Sequence, residues 1–101
     1  MIAYFHAMRI EQRDSPVKGS FVALEDDVAA GRMTYSWSGK ATVIILHTEV
    51  DPAFAGKGVG KQLVLAAVEL ARKDGLKIKL VCPFAKRVFE RTPELQDVLQ
   101  P

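Results

Sequence analysis

The feature that most constrains this chain is a change of hydrophobic period around Asp51-Pro52. Before it, "TVIILHTEV" (42–50) is apolar at successive positions, which predicts a central strand covered on both faces. Asp51-Pro52 stops that strand. From Val59 onward apolar residues recur at 59, 63, 66, 67, 70 and 71, the spacing of a helix with a broad buried face. Gly75, after Lys73 and Asp74, is a C-terminal stop. "LKIKLVC" (76–82) then alternates, with Leu76, Ile78, Leu80 and Cys82 on one side. Strand 42–50, helix 57–74 and strand 76–82 therefore make a βαβ unit. Its strands must run parallel, joined by a right-handed crossover.

The residues before this unit read as strands. Residues 4–13 form a first strand. "GSFVALEDD" is a strand from Phe21 to Leu24 that ends in an acidic turn at Asp26 and Asp27. In "GRMTYSW", Met33, Tyr35 and Trp37 share one face, and Arg32, Thr34 and Ser36 the other. "SGK" (38–40) is a hairpin signal. After the unit, Pro83 precedes a short helix over 84–91, and Thr92 is the N-cap of another over 93–99. The expected fold class is α/β, of α+β type. An antiparallel meander is followed by a βαβ unit with one parallel strand pair and short C-terminal helices, in a single domain over 1–101.

Several function classes are disfavoured. A formal charge of +2, with Lys and Arg spread along the chain, predicts no nucleic-acid partner. A single cysteine, Cys82, forbids an internal disulfide and fits a reducing, cytoplasmic setting. No apolar run approaches the roughly 20 residues of a membrane helix. One Cys and two distant His, His6 and His47, give no metal-ligand spacing. His6 reads as a surface or strand-edge residue.

Between strand and helix lie Gly56, Gly58 and Gly60, interleaved with Lys57, Val59 and Lys61. In βαβ units ligands bind at the carboxyl ends of the strands, beside the crossover helix. That helix end offers unsatisfied N–H groups and a positive dipole, both suited to an anion. Glycines let the backbone approach a phosphate closely, and the lysines add charge. One glycine would suffice for a tight turn; three predict a pyrophosphate cradle. The dinucleotide fingerprint fails, because its third glycine would fall on Lys61. The P-loop fails because its first glycine would fall on Asp51.

"AGKGVG" resembles the Q/R-x-x-G-x-G/A loop of the GNAT superfamily of N-acetyltransferases. "HTEVDPAFAGKGVGKQLVLAAVE", followed by "CPFAKRVFER" and "PEL", is similar to the minimal single-domain GNAT-like acetyltransferases, over residues 18–99. The first loop position, usually Arg or Gln, is Ala55 here, which leaves the glycine amides as the cofactor contacts. The resemblance implies an enzyme that uses acetyl-CoA as cosubstrate. Backbone around Glu49 and Val50 would pair with the pantetheine arm, and the parallel strands would splay beyond Val50. The loop residues Lys57, Gly58, Val59, Gly60 and Lys61 would hold the pyrophosphate. The helices that build the acceptor site in longer relatives are missing, so the acceptor amine, small molecule or protein, is not implied. A CoA-binding regulatory module with little catalysis is the alternative. A monomer or weak dimer is expected.

Acetyl transfer to an amine needs a held thioester, a neutral nucleophile and a proton acceptor. Cys82 ends the second parallel strand beside the crevice. It would carry a transient acetyl group, line the thioester pocket, or pack in the core. His47 and Glu49 share a strand face, and either would take a proton. Otherwise His47 is a hydrogen-bonded sheet residue and Glu49 a solvated strand end. Lys86 and Arg87 would reach the adenosine phosphates or simply face solvent. Phe84, Val88 and Phe89 are assigned to the core.

Overall fold

The structure, a computed structural model, describes the backbone of residues 2–5 and the whole of residues 8–101; His6 lies outside the described residues. Six strands form one sheet in chain order: β1 (Ile2–Phe5), β2 (Met8–Asp14), β3 (Lys18–Glu25), β4 (Val28–Ser38), β5 (Thr42–Val50) and β6 (Lys77–Leu80). Neighbours are antiparallel through β5, and β5 and β6 are parallel. The single strand expected over 4–13 is thus two strands. Asp26 and Asp27 make the tight β3–β4 hairpin, both with positive φ (49° and 64°), as a two-residue primed turn requires.

Helix α1 (Val59–Asp74) begins two residues later than its expected start and ends at Gly75, whose N–H reaches Ala71 O. Its buried residues, among them Val59, Leu63, Val64, Ala67 and Ala71, form one face against Phe21, Ala23, Met33 and Ile45. Helix α2 (Pro83–Arg91) lies beside α1 on the same side of the sheet and buries Ala85 and Phe89. The last expected helix is a 3-10 helix, Pro93–Val98, and Thr92 makes no side-chain cap at its start. Arg72 fixes that segment to α1: its Nε and Nη2 donate to Asp97 (3.1 and 2.7 Å) and Nη2 also donates to Glu94 O (2.7 Å). Among the described residues no helix is long and apolar enough to cross a membrane.

Because both helices take one side, the reading of β5 as covered on both faces is corrected. Val43 and Ile45 are buried, but Leu46 is 41% exposed, and His47 and Glu49 face outward. The apolar run misleads because Leu46 is a bulge: Tyr35 pairs with Ile45 but Thr34 pairs with His47. The extra residue turns His47 and Glu49 onto the open face, beside Thr34 and Arg32. It leaves Thr48 on the helix side.

At one edge of the helix side, Tyr35 Oη donates to Asp14 Oδ1 (2.7 Å) and accepts from Gln12 Nε2 (2.8 Å), while Trp37 Nε1 donates to the same Asp14 oxygen (2.9 Å). Burial, and to a lesser degree the Asp14 carboxylate, push the Tyr35 phenol up to about 12. The unfolded phenol, at about 10, loses its proton first. Stability is therefore whole below pH about 10 and falls as pH rises toward about 12. Denaturant titrations from pH 9 to 12 should show this decline, with a shallower slope in Tyr35→Phe.

Candidate functional site

The glycine turn leads directly into α1. Gly58 is the N-cap, with φ of 74°, and Gly56 has φ of 80°. A Cβ built on either would meet no protein atom within 4 Å, so both present bare backbone to open space. A glycine N-cap has no side chain to satisfy the first helical amides, and the first helical bond runs from Gln62 N to Gly58 O (3.1 Å). Among the described residues, the N–H groups of Val59, Gly60 and Lys61 have no acceptor. They open into a cleft of about 310 Å³ lined by Val50, Phe54, Gly56, Gly60, Lys61 and Phe84. Gly60 lies so close to Phe84 that a Cβ there would sit 2.6 Å from the ring.

The second element of the site is a gap in the sheet. The last ties between β5 and the β6 side are the N–H groups of Val81 and Cys82, both donating to Ile45 O at 3.0 Å. Beyond Ile45, β5 pairs only with β4 among the described residues. The splay expected beyond Val50 begins five residues earlier, at the bulge. Unpaired edge backbone from Leu46 to Val50 thus runs toward the mouth of α1, where an extended amide-bearing arm could add as a strand.

The expected site residues fall into separate groups. Lys61 and Arg87 share a cleft of about 290 Å³ with Phe84 and Arg91, and Lys86 does not line it. Lys57 stands 5.3 Å over the Phe54 ring and pairs with Glu25 (3.3 Å), so it braces the turn. Cys82, only 3% exposed, is the N-cap of α2, and its Sγ lies 3.4 Å from Thr48 Oγ1 on the helix side. His47 Nε2 and Glu49 Oε1 are 3.1 Å apart on the opposite face. Strand β5 therefore stands between the thiol and the proton-accepting pair.

Sequence reasoning missed Phe84, assigned to the core but half-buried between the two clefts. It also missed Arg91 and Thr48. Arg91 follows Arg87 by four residues on a helix, so the shared face was a readable signal. Thr48 depended on the bulge. Among the described residues no group of three or more His, Cys, Asp or Glu could hold a metal ion.

Comparisons with known proteins bear on the family and the fold. A family model described as GCN5-related N-acetyl-transferase matches residues 20–98. The chain is 37% identical over 61 residues to Protein NATD1 of Xenopus tropicalis, covering 60% of this chain. It spans 56% of that relative's length. The solution structure of a GCN5-like protein from Staphylococcus aureus superposes with a TM-score of 0.70 at 33% identity, covering 95% of this chain and 91% of that one. A crystal structure from Bacillus anthracis, solved with acetyl coenzyme A, shares the fold at 24% identity and a TM-score of 0.55, over 66% of this chain and 39% of that one.

Proposed function

Since the chain belongs to the GCN5-related N-acetyltransferase family, we propose that it binds acetyl-CoA across the mouth of α1 and transfers the acetyl group to an amine on the open sheet face. One observation carries this reading: the uncapped amides of Val59, Gly60 and Lys61 lie where β5 parts from β6. The fit is physical. A pyrophosphate accepts from amides that have no other partner, at the positive end of a 16-residue helix. Lys61, Arg87 and Arg91 supply charge for the adenosine phosphates around Phe84. The pantetheine arm follows the edge of β5 past Glu49 and Val50, which brings the thioester to the gap.

The acceptor arrives from the open face. It is an ammonium at neutral pH and must lose a proton before its nitrogen can attack. The His47–Glu49 pair takes that proton. The nitrogen then forms a bond to the thioester carbonyl carbon and the C–S bond breaks; the nitrogen gives up its remaining extra proton to become a neutral amide, and CoA leaves as a thiolate that takes up a proton in its place. Cys82 contributes a wall of the pocket, since its burial and its place behind Thr48 suit packing better than attack.

Calorimetry with acetyl-CoA tests the reading. Binding heat is expected for the wild type. Gly58→Val should weaken binding by about 10- to 100-fold, the value of one charge-assisted hydrogen bond. No heat with the wild type overturns the proposal. Binding without turnover on any amine returns the module to a CoA-binding role.

A further inference from the structure

The open face of the sheet carries a charge pattern that the transfer reaction alone does not use. Strand register places Arg13 opposite Ser20, Ser20 opposite Thr34, and Thr34 opposite His47, so these four form one row across β2, β3, β4 and β5. Lys18 pairs with Ser36 and Arg32 with Glu49, which puts both cations on this same face. The face thus carries Arg13, Lys18 and Arg32 across β2, β3 and β4 and ends at the His47–Glu49 pair on β5, while Glu11, in the row of Arg32, is paired with Arg9 (3.6 Å).

Two clefts follow this division and meet at Arg32. The larger, about 600 Å³, includes Arg13, Lys18, Arg32 and Thr34, with Val17 and Leu46 as apolar flanks. The smaller, about 380 Å³, includes Arg32, Glu49 and Asp51. The larger volume suits a small organic ligand. Its one lining carboxylate, Asp14, is held on the other side by Tyr35 and Trp37. Arg13, Lys18 and Arg32 enter no ion pair among the described residues, whereas Arg9 pairs with Asp27 and Arg72 with Asp97. Three cations that make no ion pair among the described residues surround one cavity, with Glu49 opposite Arg32 on the neighbouring strand; they attract an anion, and two of them are guanidiniums able to grip a carboxylate or phosphate with two parallel hydrogen bonds.

We infer that the acceptor is an anionic amine: its carboxylate or phosphate binds at Arg13, Lys18 and Arg32, and its nitrogen reaches His47 and Glu49. The inference rests on the acetyl-transfer reading for the role of the nitrogen, while the anion site stands on the cations themselves. Leu46, exposed at the bulge next to His47, lines the larger cleft and offers an apolar wall to the ligand's carbon chain.

Two matched pairs of probes test this: 6-aminohexanoate against pentylamine, and O-phosphoethanolamine against ethanolamine. Binding is followed by amide NMR shifts in protein saturated with CoA, which has no acetyl group to transfer. At least one anionic probe should bind about tenfold or more tightly than its partner, with shifts around Arg32 and Thr34. In the Arg13→Ala/Arg32→Ala double variant the ratio should fall toward one. The carboxylate and phosphate arms show which anion the site prefers. Equal binding within both pairs, or a preference that survives the double variant, overturns the inference. This readout needs no turnover. A preference without acetylation of any probe overturns the transfer reading alone, and turnover without a preference overturns the anion site alone.

Discussion

Replacing Glu49 with Gln should lower kcat/KM for acetyl transfer about a hundredfold, the lower range for losing a general base, with acetyl-CoA binding unchanged. Gln keeps the length of the side chain and can still hydrogen-bond His47, whose Nε2 lies 3.1 Å from Glu49 Oε1. What it loses is basicity. The carboxylate is open to solvent, so the protein packs nothing against it that the amide would disturb. His47→Ala should cost less. If the two side chains act as one proton acceptor, the double variant falls no further than Glu49→Gln, because members of a catalytic unit are not additive. Steady-state rates of thiol release measure all three. Multiplied losses would mean independent roles, and an unchanged Glu49→Gln rate would remove the pair from the chemistry. Cys82→Ala is the control. It should keep turnover, and intact-mass spectrometry should find no acetyl adduct on the wild-type thiol. An adduct, with turnover lost in Cys82→Ala, would establish a cysteine relay instead.

The two halves of this site differ in how far the sequence discloses them. The cradle is local. Gly56, Gly58 and Gly60 lie between a strand and a helical period, and everything needed to read them sits within ten residues. The tight turn at Asp26-Asp27 and the stop at Gly75 are local in the same sense. The open face is not. His47 and Glu49 alternate with Thr48 in any strand, but which face they take depends on the bulge at Leu46, and a bulge is set by pairing with β4. The row from Arg13 to His47 draws on four strands and exists only in the register. Apolar periodicity misled at "VIIL" for the same reason. It records that residues are apolar, not that both helices pack on one side.

A large loss of stability is expected at Gly31, where fold and site are coupled. This residue sits on β4 under the start of α1. A Cβ there would lie 2.8 Å from Glu49 O and 2.9 Å from Val59 Cγ1. The first neighbour is backbone and has no rotamer with which to yield. The second belongs to the first residue of α1, which is 2% exposed. Gly31→Val must therefore push the helix mouth away from the sheet. Overpacking of this kind costs about 1–3 kcal/mol. In a domain of this size each kcal/mol lowers Tm by about 4–8 °C, so a fall of about 4–24 °C is expected by circular dichroism. Gly31→Ala should fall between the two. The displacement also moves the amides of Val59, Gly60 and Lys61, the groups assigned to the pyrophosphate. Calorimetry well below the variant's Tm should then find weaker acetyl-CoA binding in protein that is still folded. A substitution that lowered Tm without touching affinity would separate the close approach at Gly31 from the cradle. An unchanged Tm would mean that α1 does not sit this close to β4, and the placement of the helix mouth would fall with it.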